Sequence, residues 1–181
     1  KRILSVPEPQ HVFSIMIEEG ILDEVLPSIE VEGLSKVVTA EKEYSLSPSH
    51  LIRLFSLNKS IGKNWVHYVS LTSNEAKILE FIKESLAHYK ELKTVAYKFG
   101  RGVAEGWLLN SCDGSFDLIP GKISEIINTG CNAFFPISGV DLLEEMEEGP
   151  ELGRQMERLE KLWIKSGFKM SKEELLSKSK S

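Results

Sequence analysis

Apolar residues recur along this chain at three- and four-residue intervals, and nowhere in the strict alternation that a half-buried β-strand requires. That periodicity limits the chain to an all-α architecture of roughly nine helices with short connections. Residues 9–19 carry Val12, Ile15, Met16 and Glu19 at helical spacing and close on Gly20. ILDEVLP (21–27) reads as a short helix stopped by Pro27, and Leu34, Val37, Val38 and Glu41 mark the next. SPSHLIRLFSL opens with Ser47 and Pro48 in N-cap and first-turn order. Thr72 and Glu75 form a capping box ahead of AKILEFIKESLAHY, and Ser171 and Glu174 repeat the device before the final helix. The seven prolines all fall at predicted helix edges.

The stretch LKTVAYKFGRGVAEGWLLN (92–110) imitates a dinucleotide fingerprint, with Gly100, Gly102 and Gly106 following TVAYKF. The third glycine is one residue late, since G-x-G-x-x-G would require it at Glu105. Helical spacing runs through Leu92, Val95, Ala96, Phe99, Val103 and Trp107, so a helix is expected whose glycines serve close packing. SIGKN, around Lys63, lacks the first glycine of a P-loop. SCDGSFDLIPG (111–121) breaks the pattern and is the best internal boundary, giving a helical body over 1–115 and a helical tail over 116–181.

No stretch approaches the 18 or so consecutive apolar residues of a membrane span. The opening KRILSVPEPQ has neither an initiator Met nor an apolar secretory segment, as expected of a piece of a longer polypeptide. Cys112 and Cys131 lack metal or redox spacing and are expected to be free thiols in a reducing compartment. The net charge of −5 is unevenly spread. Residues 149–181 hold eight Lys/Arg against five Asp/Glu, a net +3, while 1–148 hold fourteen against twenty-two, a net −8. A basic end on an acidic body permits a local anion-binding surface.

The sharpest pattern in that basic end is GPELGRQMERLEKLWIKSGF (149–168). Pro150 suits a first helical position and Gly167 the position beyond the last. Leu152, Met156, Leu159 and Trp163 fall on one stripe, with Arg154, Arg158, Lys161 and Lys165 on the opposite one. Either this is a solvated helix with its dipole satisfied, or it is a phosphate-binding face. The dipole accounts for Lys161 and Lys165 but poorly for Arg154, which sits near the positive end. Lys90, Lys93 and Arg101, with Tyr97 among them, are expected to share a second basic helical face.

Groups able to do chemistry are sparse. Nucleotidyl transfer needs closely spaced carboxylates to hold two metal ions. Asp113 and Asp117 lie four apart in a predicted loop, and Glu144, Glu145, Glu147 and Glu148 read as a solvated acidic run. No G-x-S-x-G or Cys/His arrangement stands out.

The block FFPISGVDLLEEMEEGPELGRQMERLEKLWIKSGFKMSKEELL (134–176) resembles the C-terminal tail of bacterial CCA-adding enzymes, the tRNA nucleotidyltransferases of the poly(A) polymerase family. Phe135, Pro136, Gly139, Asp141, Leu142, Leu143, Gly149, Pro150, Leu152, Gly153, Trp163 and Ile164 match that tail in order. PEPQHVFSIMIEEGILDEVLP resembles the start of the family's body domain, with Ser28 in place of a usual Glu. LIRLFSL and TVAYKFGR resemble two later stretches. The resemblance implies a body and tail that hold tRNA, working with an N-terminal head and neck that bind Mg²⁺ and ATP or CTP. No position here matches the catalytic aspartates, so this chain is expected to carry no cofactor and not to add nucleotides alone. Its expected partners are tRNA and its own head and neck, in the cytoplasm or a mitochondrial matrix. A poly(A) polymerase of the same family and an independent all-α protein-interaction domain are the alternatives. On the RNA reading Arg154, Arg158, Lys161 and Lys165 contact phosphates, and Lys90, Lys93 and Arg101 extend the track.

Overall fold

The computed structural model describes residues 1–22, 26, 29–59, 69–111, 119–143 and 149–179. Ten α-helices and one short 3-10 turn, Ile3–Ser5, account for their regular structure, and there is no strand among them. The all-α reading therefore holds. The expected short helix at 21–27 and the SIGKN and SCDGSFD stretches lie wholly or largely outside the described residues.

Two compact units divide the chain, Lys1–Cys131 and Asn132–Ser181. The division falls later than the expected 115/116, because a helix assigned to the tail packs into the body. In the first unit the helices are α1 (Pro9–Glu18), α2 (Val31–Glu43), α3 (His50–Leu57), α4 (Ser73–His88), α5 (Leu92–Phe99), α6 (Arg101–Ser111) and α7 (Pro120–Cys131). The last of these packs on α5 and α6. At Gly130 a Cβ would sit 2.4 Å from the Lys93 carbonyl, so only glycine lets α7 approach α5 this closely.

Helix α6 is the centre of this unit, touching α2, α3, α4, α5 and α7. Val103, Ala104, Trp107, Leu108 and Leu109 are all buried, as a helix apolar on most sides must be. Gly106 lies where a Cβ would meet Ile82 of α4, so this glycine does serve close packing. Gly100 does something else. It adopts φ 83° and ends α5, so 92–110 is two helices rather than one continuous helix. Side-chain periodicity continues across the break, which is why spacing alone misses it.

One polar pair lies inside the apolar interior. Arg53 and Glu41 are 1% and 2% exposed. The Arg53 Nε and Nη2 atoms donate to Glu41 Oε2 at 2.9 and 2.6 Å, and Nη1 donates to the carbonyls of Leu4 and Val6 at 2.8 and 2.6 Å. The fork thus ties α2, α3 and the N-terminal turn together with nearly every donor used. Helix α3 itself starts at His50, two residues later than the Ser47–Pro48 signal, with Ser49 as its N-cap.

The second unit contains α8 (Gly139–Leu142), α9 (Pro150–Lys165) and α10 (Lys172–Ser179). Ile137, Leu142, Leu159, Trp163 and Leu175 form its buried centre. Phe135 packs on Trp163 with ring centroids 5.6 Å apart. Asp141 accepts from the Ser138 backbone N–H at 2.8 Å and from Lys172 Nζ at 2.6 Å, joining α8 to the start of α10. Hydrogen bonding by Lys172, with a smaller part from Ser138, holds the Asp141 carboxyl down at about 2.

Candidate nucleic-acid interface on helix α9

Helix α9 is built as its sequence predicts. Pro150 takes the first position, and the C-terminus closes in a Schellman motif. There Gly167 N–H bonds the Ile164 carbonyl at 2.9 Å and Phe168 N–H bonds the Trp163 carbonyl at 3.0 Å. Both closing residues have positive φ, 73° for Gly167 and 67° for Phe168. The Phe168 ring then stands edge-on to Trp163 at 4.8 Å, the apolar contact that accompanies this cap. Leu159 and Trp163 are buried, Leu152 and Met156 half-buried. This apolar stripe fixes the rotation of the helix about its axis.

With the rotation fixed, the four cations must face away from the core, and all four are exposed. At 100° per residue they fall within an arc of about 60° and spread over about 16 Å of helix length. Acids border the arc on both sides. Arg154 Nη2 lies 2.6 Å from Glu151 Oε2, and Lys161 Nζ lies 3.4 Å from Glu157 Oε1. These pairs are highly exposed, 71% for both partners of the first, and such pairs contribute only about 0–1 kcal/mol each. Arg158 behaves differently. Its Nη2 donates to the main-chain carbonyl of Lys178, and the neighbouring Gln155 Nε2 donates to the Ser179 carbonyl at 2.9 Å. Lys165 makes no hydrogen bond or ion pair among the described residues.

The second expected track does not form a single helical face. Lys90 is exposed in the connection before α5, Lys93 is half-buried on α5, and Arg101 opens α6 beyond the Gly100 break. Arg101 is engaged by Glu105 at 3.0 Å and by Asn128 of α7 at 2.5 Å. Tyr97 is covered by Lys98, whose Nζ lies 5.5 Å from the ring centroid. The physical reasons are two: Lys90 precedes the start of α5, and a face counted on to Arg101 loses its register at Gly100.

Gly149 and Gly153 have nothing within 4 Å of where a Cβ would be, so neither serves close packing among the described residues. Sequence reading also misses Gln155 and Lys178. Their roles depend on where α10 ends, which spacing within α9 cannot reveal. Among the described residues no cluster of three or more His, Cys, Asp or Glu is arranged to hold a metal ion, and no helix is long and apolar enough to cross a membrane. The acidic residues 144–148 and Asp113 and Asp117 lie outside the described residues. No family model, curated protein or solved structure matches the chain.

Proposed function

We propose that the chain is an RNA-holding portion of a tRNA nucleotidyltransferase of the CCA-adding type, and that α9 lays its cation row along the RNA backbone. The observation that carries this reading is the arc itself: Arg154, Arg158, Lys161 and Lys165 are exposed together on a helix whose rotation the Trp163 stripe determines. A rigid row of Arg and Lys positions a nucleic acid through its phosphates without reading bases. RNA helices are recognised largely in that way, by shape and backbone. The order and spacing of the 134–176 motifs support the family; the same tail would serve a poly(A) polymerase. On this reading, cytoplasm or mitochondrial matrix is the expected compartment.

A second reading has its own support. The pairs Arg154–Glu151 and Lys161–Glu157 suit a solvated face that binds nothing. The two readings separate in one experiment. Because Arg158 also holds α10, it is left intact, and Arg154, Lys161 and Lys165 are replaced together by Gln. Gln keeps a helix propensity similar to Lys and Arg, so folding is barely affected. The RNA reading expects weaker binding of a tRNA transcript and a slope of log K against log salt flatter by about 0.7–0.9 per lost contact. A triple variant matching the parent across the salt series would leave the solvated face as the correct reading.

A further inference from the structure

The end of α10 is clamped to the edge of the α9 cation row. A helix C-terminus leaves carbonyls without intrahelical donors and carries a partial negative charge. Here two side chains of α9 take up two of those carbonyls: Gln155 at Ser179 and Arg158 at Lys178. Gln155 and Arg158 are neighbours on one side of α9, and Arg158 is also a member of the cation arc. The clamp therefore does two things at once. It satisfies the carbonyls that would otherwise repel an approaching phosphate. It also brings Lys178, which is exposed, next to the Arg158 guanidinium. One of the five N–H groups of that guanidinium is directed at Lys178, and the fork geometry leaves others for a second acceptor.

Resting on the RNA-backbone reading above, we propose that the phosphate-binding surface of the second unit is composite. The α9 row continues through Lys178 on the last turn of α10, and Gln155 and Arg158 act as positioning residues that hold the two helices in one surface. The acids shape what this surface accepts. Glu151 and Glu157 border the arc on its two sides, so a single row of phosphates running along α9 is favoured over broad contact with both strands of a duplex. The partner chemistry is thus one RNA strand, followed lengthwise and then across onto α10.

The test uses the full chain, a tRNA transcript and three variants, measured over a salt series beside the α9 triple variant above. Lys178→Gln removes the proposed fifth cation. Gln155→Ala removes no charge but opens the clamp. Lys36→Gln, an exposed lysine on α2, is the control. The composite surface expects Lys178→Gln to flatten the salt slope by about 0.7–0.9, and Gln155→Ala to do nearly the same although net charge is unchanged. Amide exchange over α10 should rise in Gln155→Ala alone, which shows that the clamp opened while the unit stayed folded. If Lys178→Gln binds like the parent while the α9 triple variant does not, the composite surface is overturned and the α9 reading stands. If both bind like the parent, both readings fail. A slope change in Lys178→Gln with none in Gln155→Ala, despite faster α10 exchange, overturns the clamp.

Discussion

The first unit encloses a helix, whereas the second is stapled around one. In Lys1–Cys131, α6 is surrounded by five other helices, and burial of Val103, Trp107, Leu108 and Leu109 supplies the stability. In Asn132–Ser181, one face of α9 is covered by Phe135, Phe168 and helices α8 and α10, and much of the definition comes from termini. The Schellman closure at Gly167, the Ser138–Asp141 box and the Ser171–Glu174 box all lie within this small unit. The difference is physical: a unit that leaves most of α9 outside its core must hold that helix by its ends.

The strongest way to break the comparison is to attack the polar pair of the first unit. Arg53→Met leaves Glu41 buried without its partner and strands the Leu4 and Val6 carbonyls. Loss of one member of a buried ion pair costs about 3–5 kcal/mol, and the stranded carbonyls push this case to the upper end. Urea unfolding should show the loss in the first unit, while amide exchange in α9 and α10 stays unchanged. Equal loss of protection in α9 would mean that the two units do not unfold separately.

A smaller loss, in the other unit, is expected from Trp163→Ala. The side chain is buried between Phe135 and Phe168, and Trp→Ala in a core costs about 3–5 kcal/mol. A thin unit collapses into part of the space, so the value should lie near the bottom of that range. The same loss should release the Schellman closure, since Phe168 would have no ring to stand on. A thermal midpoint equal to the parent's would show that the apolar stripe of α9 does not orient the helix.

What can be read from the chain itself follows the same division. Helices with local punctuation are legible: the Thr72–Glu75 and Ser171–Glu174 boxes, Pro150 and Gly167 all act within a few residues of themselves. The α9 arc is legible for the same reason, because helix periodicity is local. Features that need a distant partner are not. Glu41 falls on the apolar stripe of its helix, and Arg53 sits within LIRLF. An acid and a base at core register twelve residues apart are the available signal for the buried pair. Gly130 gives no sign in sequence that it opposes the Lys93 carbonyl, which is why a boundary at 115/116 puts α7 in the wrong unit. The Arg158–Lys178 contact spans 20 positions and depends on the path between α9 and α10.

The smallest expected effect is in acid, and it tests whether the second unit depends on its end contacts. Asp141 is held at about 2, below its usual 3.8, first by Lys172 and then by Ser138. Its folded pKa is depressed, so its contribution is fully present above the unfolded value and fades as pH falls toward about 2. The first unit has a counterpart: Glu75, held at about 2 by Lys1 and the Thr72 backbone N–H. Acid therefore loosens both units, and a bulk melting curve cannot separate them. Asp141→Asn can. At neutral pH the variant should exchange α10 amides faster than the parent, because Lys172 loses its carboxylate while Glu75 is untouched. On lowering the pH through the window from about 4 to about 2, parent and variant should converge, since the parent then protonates the same group. The contact is only partly buried, so added salt should shrink the neutral-pH difference as well. A difference that persists unchanged at the acid end would mean that the Asp141→Asn substitution disturbs the α8 turn itself. The ion pair to α10 would then not be what Asp141 contributes.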